Sequence, residues 1–173
     1  MPDSRPQPPR FTDTPVTDAA AHALLTAYFT ERALSFPAQQ GRYRPSFPAA
    51  EQFVPPVGVF LLLGEPAAEG FVGCGGIRRL DGAPAGTVRY EIKHLWLHPS
   101  TRGRGWGRSL LAELERRARG FGATEVVLDT NASLLAAGAL YASAGYAEIE
   151  AYNTNPNATT WYSKPLLSES AAP

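Results

Sequence analysis

Hydrophobic and polar positions change period several times along the chain, and each change marks an element. Ala20, Leu24, Ala27 and Tyr28 recur at helical spacing just after Thr17 and Asp18, which supply N-cap chemistry, and Pro37 stops the run. The spacing predicts a helix running to Phe36 with those four residues on its buried face. From Pro37 to Pro56 no period survives, because Pro37, Gly41, Pro45, Pro48, Pro55 and Pro56 interrupt it. A helical turn over Ala49 to Phe53 is the most this segment can hold. Irregular segments of this length are usually functional or loosely ordered. Phe36, Tyr43, Phe47 and Phe53 predict that this one packs down and walls a pocket.

Three strand-like runs follow: Val57 to Leu63, Phe71 to Leu80 and Val88 to Leu97, separated by Gly- and Pro-bearing turns. Short turns between consecutive strands predict an antiparallel meander. The period then returns to 3.6. Gly107, Leu110, Leu111, Leu114 and Ala118 form a stripe ending near Gly120, with Glu113/Arg117 and Glu115/Arg119 spaced i,i+4 on the expected wet side. A buried strand over Glu125 to Asp129, a helix over Ser133 to Ala144 closed by Gly145, and strands near Tyr146 to Tyr152 and Thr160 to Leu166 complete the pattern. Strand, helix, strand, helix, strand requires one parallel crossover. The expected fold class is therefore α/β (α+β): one domain over residues 11–168 with a mixed sheet, antiparallel in its front half, carrying a parallel βαβ crossover and flanked by helices. Residues 1–10, rich in proline and polar side chains, read as a disordered leader.

Composition narrows the function classes. Lys plus Arg and Asp plus Glu are 16 each, so the basic excess of a nucleic-acid binder is missing. Cys74 is the single cysteine, so neither an internal disulfide nor a thiolate metal cluster is available. No apolar stretch reaches the ~20 residues of a membrane span, and the first residues lack a signal-peptide core. The expectation is a cytoplasmic protein without membrane or nucleic-acid partners. His22, His94 and His98 show no metal-ligand spacing. Strict alternation puts His94 on the face opposite Glu91, so the three histidines read as structural or surface residues, with no metal.

The densest signal is Arg102-Gly103-Arg104-Gly105-Trp106-Gly107-Arg108, which joins a strand to an amphipathic helix. Glycines let backbone N–H groups approach an anion, and a helix start adds unpaired donors. A phosphate or pyrophosphate is the natural ligand. The third glycine sits one position early for a dinucleotide fingerprint, and Arg108 stands where an NTPase loop needs lysine.

Arg102, Gly105 and Gly107 do match Gln/Arg-x-x-Gly-x-Gly/Ala, the acyl-CoA loop of the GNAT acetyltransferases. Glu91 to Pro99 resembles the family's strand into that loop, and Leu128 to Asn131 its next strand end. Tyr141-Ala142-Ser143-Ala144-Gly145-Tyr146 resembles its Tyr-x-x-x-Gly-Phe/Tyr helix end. The likeness runs from about Val57 to Leu166. It implies acetyl-CoA as co-substrate, bound by the loop residues Arg102 to Arg108, by Leu95, Trp96 and Leu97 of the splayed strand, and by Asn131 near the pantetheine arm. It also implies an amine acceptor, and dimers are common in such families.

Acetyl transfer to an amine needs a neutral amine, a placed thioester, oxyanion stabilisation and a proton for the leaving thiolate. Tyr141 is the expected proton donor, set by the resemblance beside the sulfur. Glu91 is the candidate base, a carboxylate in an apolar strand that otherwise needs a partner such as Lys93. Backbone N–H near Trp96 or Leu97 is the expected oxyanion donor. The expected activity is transfer to the primary amine of a small or amino-acid-like molecule by direct attack in a ternary complex. A non-catalytic acyl-CoA sensor and a protein N-terminal or lysine acetyltransferase remain open beside it.

Overall fold

The computed structural model describes residues 7–167; residues 1–6, most of the expected leader, lie outside them. Arg10, assigned to the leader by composition, is the first residue of strand β1 (Arg10–Asp13). Four residues with exposed ends carry no alternation, so this edge strand had no sequence signature. Then come α1 (Ala19–Ser35), β2 (Gly58–Gly64), β3 (Gly73–Leu80), β4 (Arg89–Leu97), α2 (Trp106–Gly120), β5 (Glu125–Thr130), α3 (Leu135–Ser143), β6 (Ala147–Ile149) and β7 (Thr160–Pro165). Asp18 caps α1 by accepting from the Ala20 amide at 2.8 Å. A single 3-10 turn at Ala50–Phe53 is the only regular element between residues 41 and 57.

The seven strands form one sheet in the order β1-β2-β3-β4-β5-β7-β6. β1 to β4 are antiparallel neighbours, β4 and β5 are parallel, and β7 returns antiparallel between β5 and β6. This is the expected mixed sheet. Every residue of β2 is buried, because helices cover both faces. On one face Leu110, Leu111, Leu114 and Ala118 of α2 pack with Tyr141 of α3 against Leu61, Ile77, Ile92 and Leu128. On the other, Ala21, Leu25 and Phe29 of α1 pack with Phe53, Phe60, Leu62 and Trp96. The α1 stripe is thus one residue out of phase with the sequence expectation. Ala20, Leu24, Ala27 and Tyr28 flank the buried line instead of forming it.

A second phase error has a local cause. Cys74 pairs with Trp96 and Gly76 with Lys93, so Gly75 alone spans His94 and Leu95. That β-bulge, with His94 at φ 56°, reverses the alternation of β4. Glu91 faces the α1 side, opposite its pairing partner Arg78. Leu95 and Leu97 turn to the α2 side, while His94 and Trp96 take the α1 side. His94 therefore lies on the face of Glu91, contrary to strict alternation. The expected wet residue Glu115 is also buried, where its carboxylate accepts from Tyr146 Oη at 3.0 Å and Lys164 Nζ at 2.8 Å.

Candidate active site

The parallel ladder between β4 and β5 ends at Glu91 opposite Val127, yet β4 continues to Leu97 and β5 to Thr130. The two strands splay there and open a gap inside the sheet. Along it β4 has lost its neighbouring strand, so that edge is open to an extended ligand, although Leu97 O already accepts from Arg102 Nε.

At one end of the gap stands the glycine loop. Gly103 and Gly105 both have φ 78°, a left-handed conformation that suits glycine. Gly105 is the N-cap of α2 and offers no side-chain acceptor. Thr101 and Arg102 N–H groups close a 3-10 turn onto His98 and Pro99, and the Ser109 amide reaches Gly105 O. Between them, the amides from Gly103 to Arg108 find no acceptor among the described residues. Consecutive unfilled donors at a helix start fit a diphosphate group. A CoA thioester therefore suits both the cradle and the gap.

The side chains of that loop behave differently from its backbone. Arg102 Nη2 donates to both oxygens of Glu31 on α1 at 2.7 and 2.8 Å, and its Nε donates to Leu97 O at 3.1 Å. Its guanidinium is a clasp between loop and helix. Arg108 reaches the Ser143 hydroxyl at 2.5 Å, tying the start of α2 to the end of α3. Arg104 lies 3.6 Å from Glu65 and over the Trp106 ring. Trp106 and Trp96, both expected beside the cofactor, are core side chains. Trp96 Nε1 donates to Glu31 Oε2 at 3.1 Å. Only their backbone is available to a ligand. Gly107 lies on the α2 face, where an added Cβ would meet Leu140 and Leu97 at 3.6 and 3.7 Å.

Beyond the gap the α1 face holds a cavity of about 610 Å³. Its walls bring together Tyr28, Phe29 and Arg32 of α1, Tyr43 and Phe47 of the proline-rich segment, Lys93 to Leu95, Asp129 to Asn131, Tyr141 and the residues from Asn153 to Ala158. Tyr141 is 6% exposed, and its hydroxyl makes no hydrogen bond with the described residues. Burial pushes its pKa up, the Tyr28 phenol adds to the rise, and the Arg32 charge opposes it. The group stays protonated at neutral pH.

Glu91 is placed differently. It is 1% exposed, does not line the cavity, and accepts from Arg78 at 2.8–2.9 Å and Tyr152 Oη at 2.9 Å, with Lys93 Nζ at 3.4 Å. Its lone pairs are already filled. Lys93 bridges it to Asp129 at 3.2 Å, and Asp129 also accepts from Asn153 at 2.7 Å and Asn155 at 3.2 Å. Burial alone would pull the Lys93 pKa down, but the Glu91 and Asp129 charges outweigh it and the net shift is upward. Burial likewise pushes Asp129 up, and Lys93 with the two asparagines brings it below the ordinary carboxylate range. His94 sits among Tyr28, Phe29 and Phe53, with Nδ1 buried and unpartnered. Burial, reinforced by the Lys93 and Arg78 charges, lowers its pKa to about 3 and keeps the ring neutral.

Asn131 faces the cavity but is occupied, donating to Gln40 Oε1 at 2.7 Å and Asn157 O at 3.1 Å while accepting from the Ser133 amide. Arg44 and Asn157 exchange reciprocal bonds, Arg44 N to Asn157 Oδ1 at 2.9 Å and Asn157 Nδ2 to Arg44 O at 2.7 Å. These contacts join the proline-rich segment to the β6–β7 connection and form part of the cavity wall. Sequence reading missed Arg32, Lys93, Asp129 and His94 as site residues. The bulge hid His94, and the others carry no motif.

The profile of the acetyltransferase (GNAT) family matches residues 20–146. No curated protein matches the sequence. Among solved structures, a Klebsiella pneumoniae protein assigned to the acyl-CoA N-acyltransferases superposes with a TM-score of 0.70 at 28% identity, covering 92% of this chain and 98% of that one. An acetyltransferase from Streptococcus agalactiae has a TM-score of 0.70 at 21% identity, with 92% and 99% covered. The NatC complex bound to Gag peptide and CoA matches at 0.67 and 18% identity, with 93% and 100% covered. Among the described residues no group of side chains is arranged to hold a metal, and no helix is long and apolar enough to cross a membrane.

Proposed function

The chain belongs to the GNAT acetyltransferase family, and on that footing we propose that it acetylates the primary amine of a small, amino-acid-like molecule by direct attack in a ternary complex with acetyl-CoA. The carrying observation is the aromatic cavity of about 610 Å³, lined by Tyr141 and by both strands that border the β4–β5 gap. Its size lies in the range of small-molecule sites. A protein acetyltransferase is the competing reading, since a peptide occupies one fold relative. The Arg44–Asn157 bridge weighs against it, because it ties the proline-rich segment to the β6–β7 connection along the cavity wall, where an extended chain needs an uninterrupted groove.

Acetyl-CoA supplies the acetyl group as a thioester. In the proposed arrangement the amides from Gly103 to Arg108 bind its diphosphate, and the free edge of β4 from Leu95 to Leu97 orients the pantetheine arm. Tyr141 Oη, protonated and without another partner among the described residues, delivers its proton to the departing sulfur as the C–S bond breaks and the C–N bond is made, and the phenolate left behind takes up the proton that the attacking nitrogen releases. Glu91 serves as an anchor: its filled carboxylate holds Arg78 and Lys93 in place and leaves no lone pair for the amine proton. The aromatic walls exclude water from the thioester.

Thiol release from acetyl-CoA across an amine panel tests this reading. The wild type turns over at least one small primary amine, and Tyr141→Phe keeps acetyl-CoA binding while losing most of kcat. Saturable acetyl-CoA binding with no turnover on any amine overturns it in favour of an acyl-CoA sensor.

A further inference from the structure

Arg32 projects from α1 into the cavity wall with its side chain 18% exposed. A guanidinium has five donors, and a buried one is normally paired. This one donates no hydrogen bond to any described residue. Its nearest carboxylate, Glu31, lies 3.8 Å away and is already committed to Arg102 and Trp96. What holds Arg32 in place is the Tyr28 ring, 5.2 Å from its central carbon.

The other buried charges around the cavity cancel. Arg78 and Lys93 are matched by Glu91 and Asp129 in one connected network. Arg32 is left as a half-buried cation beside Tyr28, Phe29 and Tyr43, with only a 3.8 Å share of a carboxylate that Arg102 holds more closely. A planar fork with vacant donors in an aromatic pocket matches a carboxylate bidentately. We infer that Arg32 is the acceptor's carboxylate anchor, so the substrate is an amine that also bears a carboxylate and an apolar or aromatic body. This rests on the acetyltransferase reading and specifies its substrate class. The anchor fixes one end of the acceptor so that its amine points toward the gap at Tyr141. An amine without the carboxylate would leave the arginine buried and unpaired, which discriminates against it.

Two measurements test the inference. The first needs no turnover: calorimetric titration of the protein with 3-phenylpropionate and with 3-phenylpropanamide. The wild type binds the acid at least tenfold more tightly than the amide, Arg32→Gln abolishes the preference, and Arg32→Lys retains part of it. Equal binding of acid and amide to the wild type, or a preference that survives in Arg32→Gln, overturns the assignment. The acid-to-amide ratio within each variant is insensitive to a general loss of packing.

The second measurement is thiol release with phenylalanine, its amide and phenethylamine. The assignment expects the KM for the acid to rise at least tenfold in Arg32→Gln, with the KM for acetyl-CoA and the KM for the two analogues that lack a carboxylate within twofold. If the amide and amine are acetylated better than the acid, the carboxylate anchor fails while the acetyltransferase reading stands. If the acid preference appears in binding and no amine is acetylated, the anchor stands and the catalytic reading fails.

Discussion

The two ends of the proposed site, one for the cofactor and one for the acceptor, are built from different parts of the polypeptide. The cofactor end is made of backbone: consecutive amides, two glycines in the left-handed region and a strand edge that has lost its neighbour. Arg102 and Arg108 are held in clasps with Glu31 and Ser143, while Arg104 stays half-exposed 3.6 Å from Glu65. The acceptor end is made of side chains drawn from α1, the proline-rich segment, β4, β5, α3 and the β6–β7 connection. Backbone recognition depends on local conformation, so a few glycines encode it. Side-chain recognition depends on which segments meet, so no short stretch encodes it.

This contrast can be broken or sharpened experimentally. The largest effect is expected at the acceptor end. Glu91→Ala leaves Arg78 and Lys93 buried without their shared carboxylate, and removing one partner of a buried pair costs about 3–5 kcal/mol. Chemical denaturation should show it as a large drop in midpoint. Near-wild-type stability, combined with a pH–rate profile missing its lower limb, would return Glu91 to the role of base.

At the junction of the two ends, Tyr141→Phe removes only a hydroxyl that has no hydrogen-bond partner among the described residues. The melting temperature should hold while kcat falls about a hundredfold, the scale of losing a general acid. Stopped-flow or steady-state thiol release, run beside a thermal melt, separates the two effects. A comparable loss of stability would demote Tyr141 to packing.

Gly105→Val tests the cofactor end. An added Cβ meets open space, so the cost is conformational: a β-branched residue at φ 78° pays on the order of 1–2 kcal/mol. Loop distortion should weaken acetyl-CoA binding by about tenfold or more in calorimetry while leaving 3-phenylpropionate binding alone. Loss of both ligands together would erase the division between the ends.

His94 provides a pH test. Its folded pKa, about 3, lies below the ordinary 6.5, so between those values the unfolded chain takes up a proton that the fold refuses. Stability from this group is full above 6.5 and is lost as pH falls, approaching about 1.36 kcal/mol per pH unit. The depressed Asp129 carboxylate adds acid sensitivity only below its ordinary range. Urea denaturation at a series of pH values should therefore show a slope near pH 5 that His94→Gln flattens. The smallest effect is Arg104→Ala. A half-exposed arginine 3.6 Å from Glu65 contributes about 0.2–1 kcal/mol. Its signature should be a two- to threefold, salt-sensitive rise in the KM for acetyl-CoA.

Several structural features were legible in the chain itself. Asp18 as a cap, Pro37 as a stop, the leucine stripe of α2 and the Gly145 helix end follow from local stereochemistry and appear where expected. The glycine loop was legible for the same reason, since φ near 78° and a helix start are properties of neighbouring residues. The failures share the opposite cause. The α1 stripe slipped by one residue because short apolar side chains surround it, leaving burial to be set by the sheet it meets. Glu115 lay in a regular i,i+4 pair with Arg119, yet Tyr146 and Lys164 from distant segments enclose it.

The sequence by itself determined the order of elements from α1 onward, the single parallel crossover and the glycine loop that opens α2, because periodicity, caps and glycine conformation act over a few residues. Only the tertiary structure decided which charges are filled and which face which way. The bulge opposite Gly75 carried His94 onto the face of Glu91, the network around Glu91 used up its carboxylate, and Arg102 captured Glu31 away from Arg32. Those outcomes depend on contacts between residues far apart in the chain, where energy comes from burial and pairing that no local pattern records.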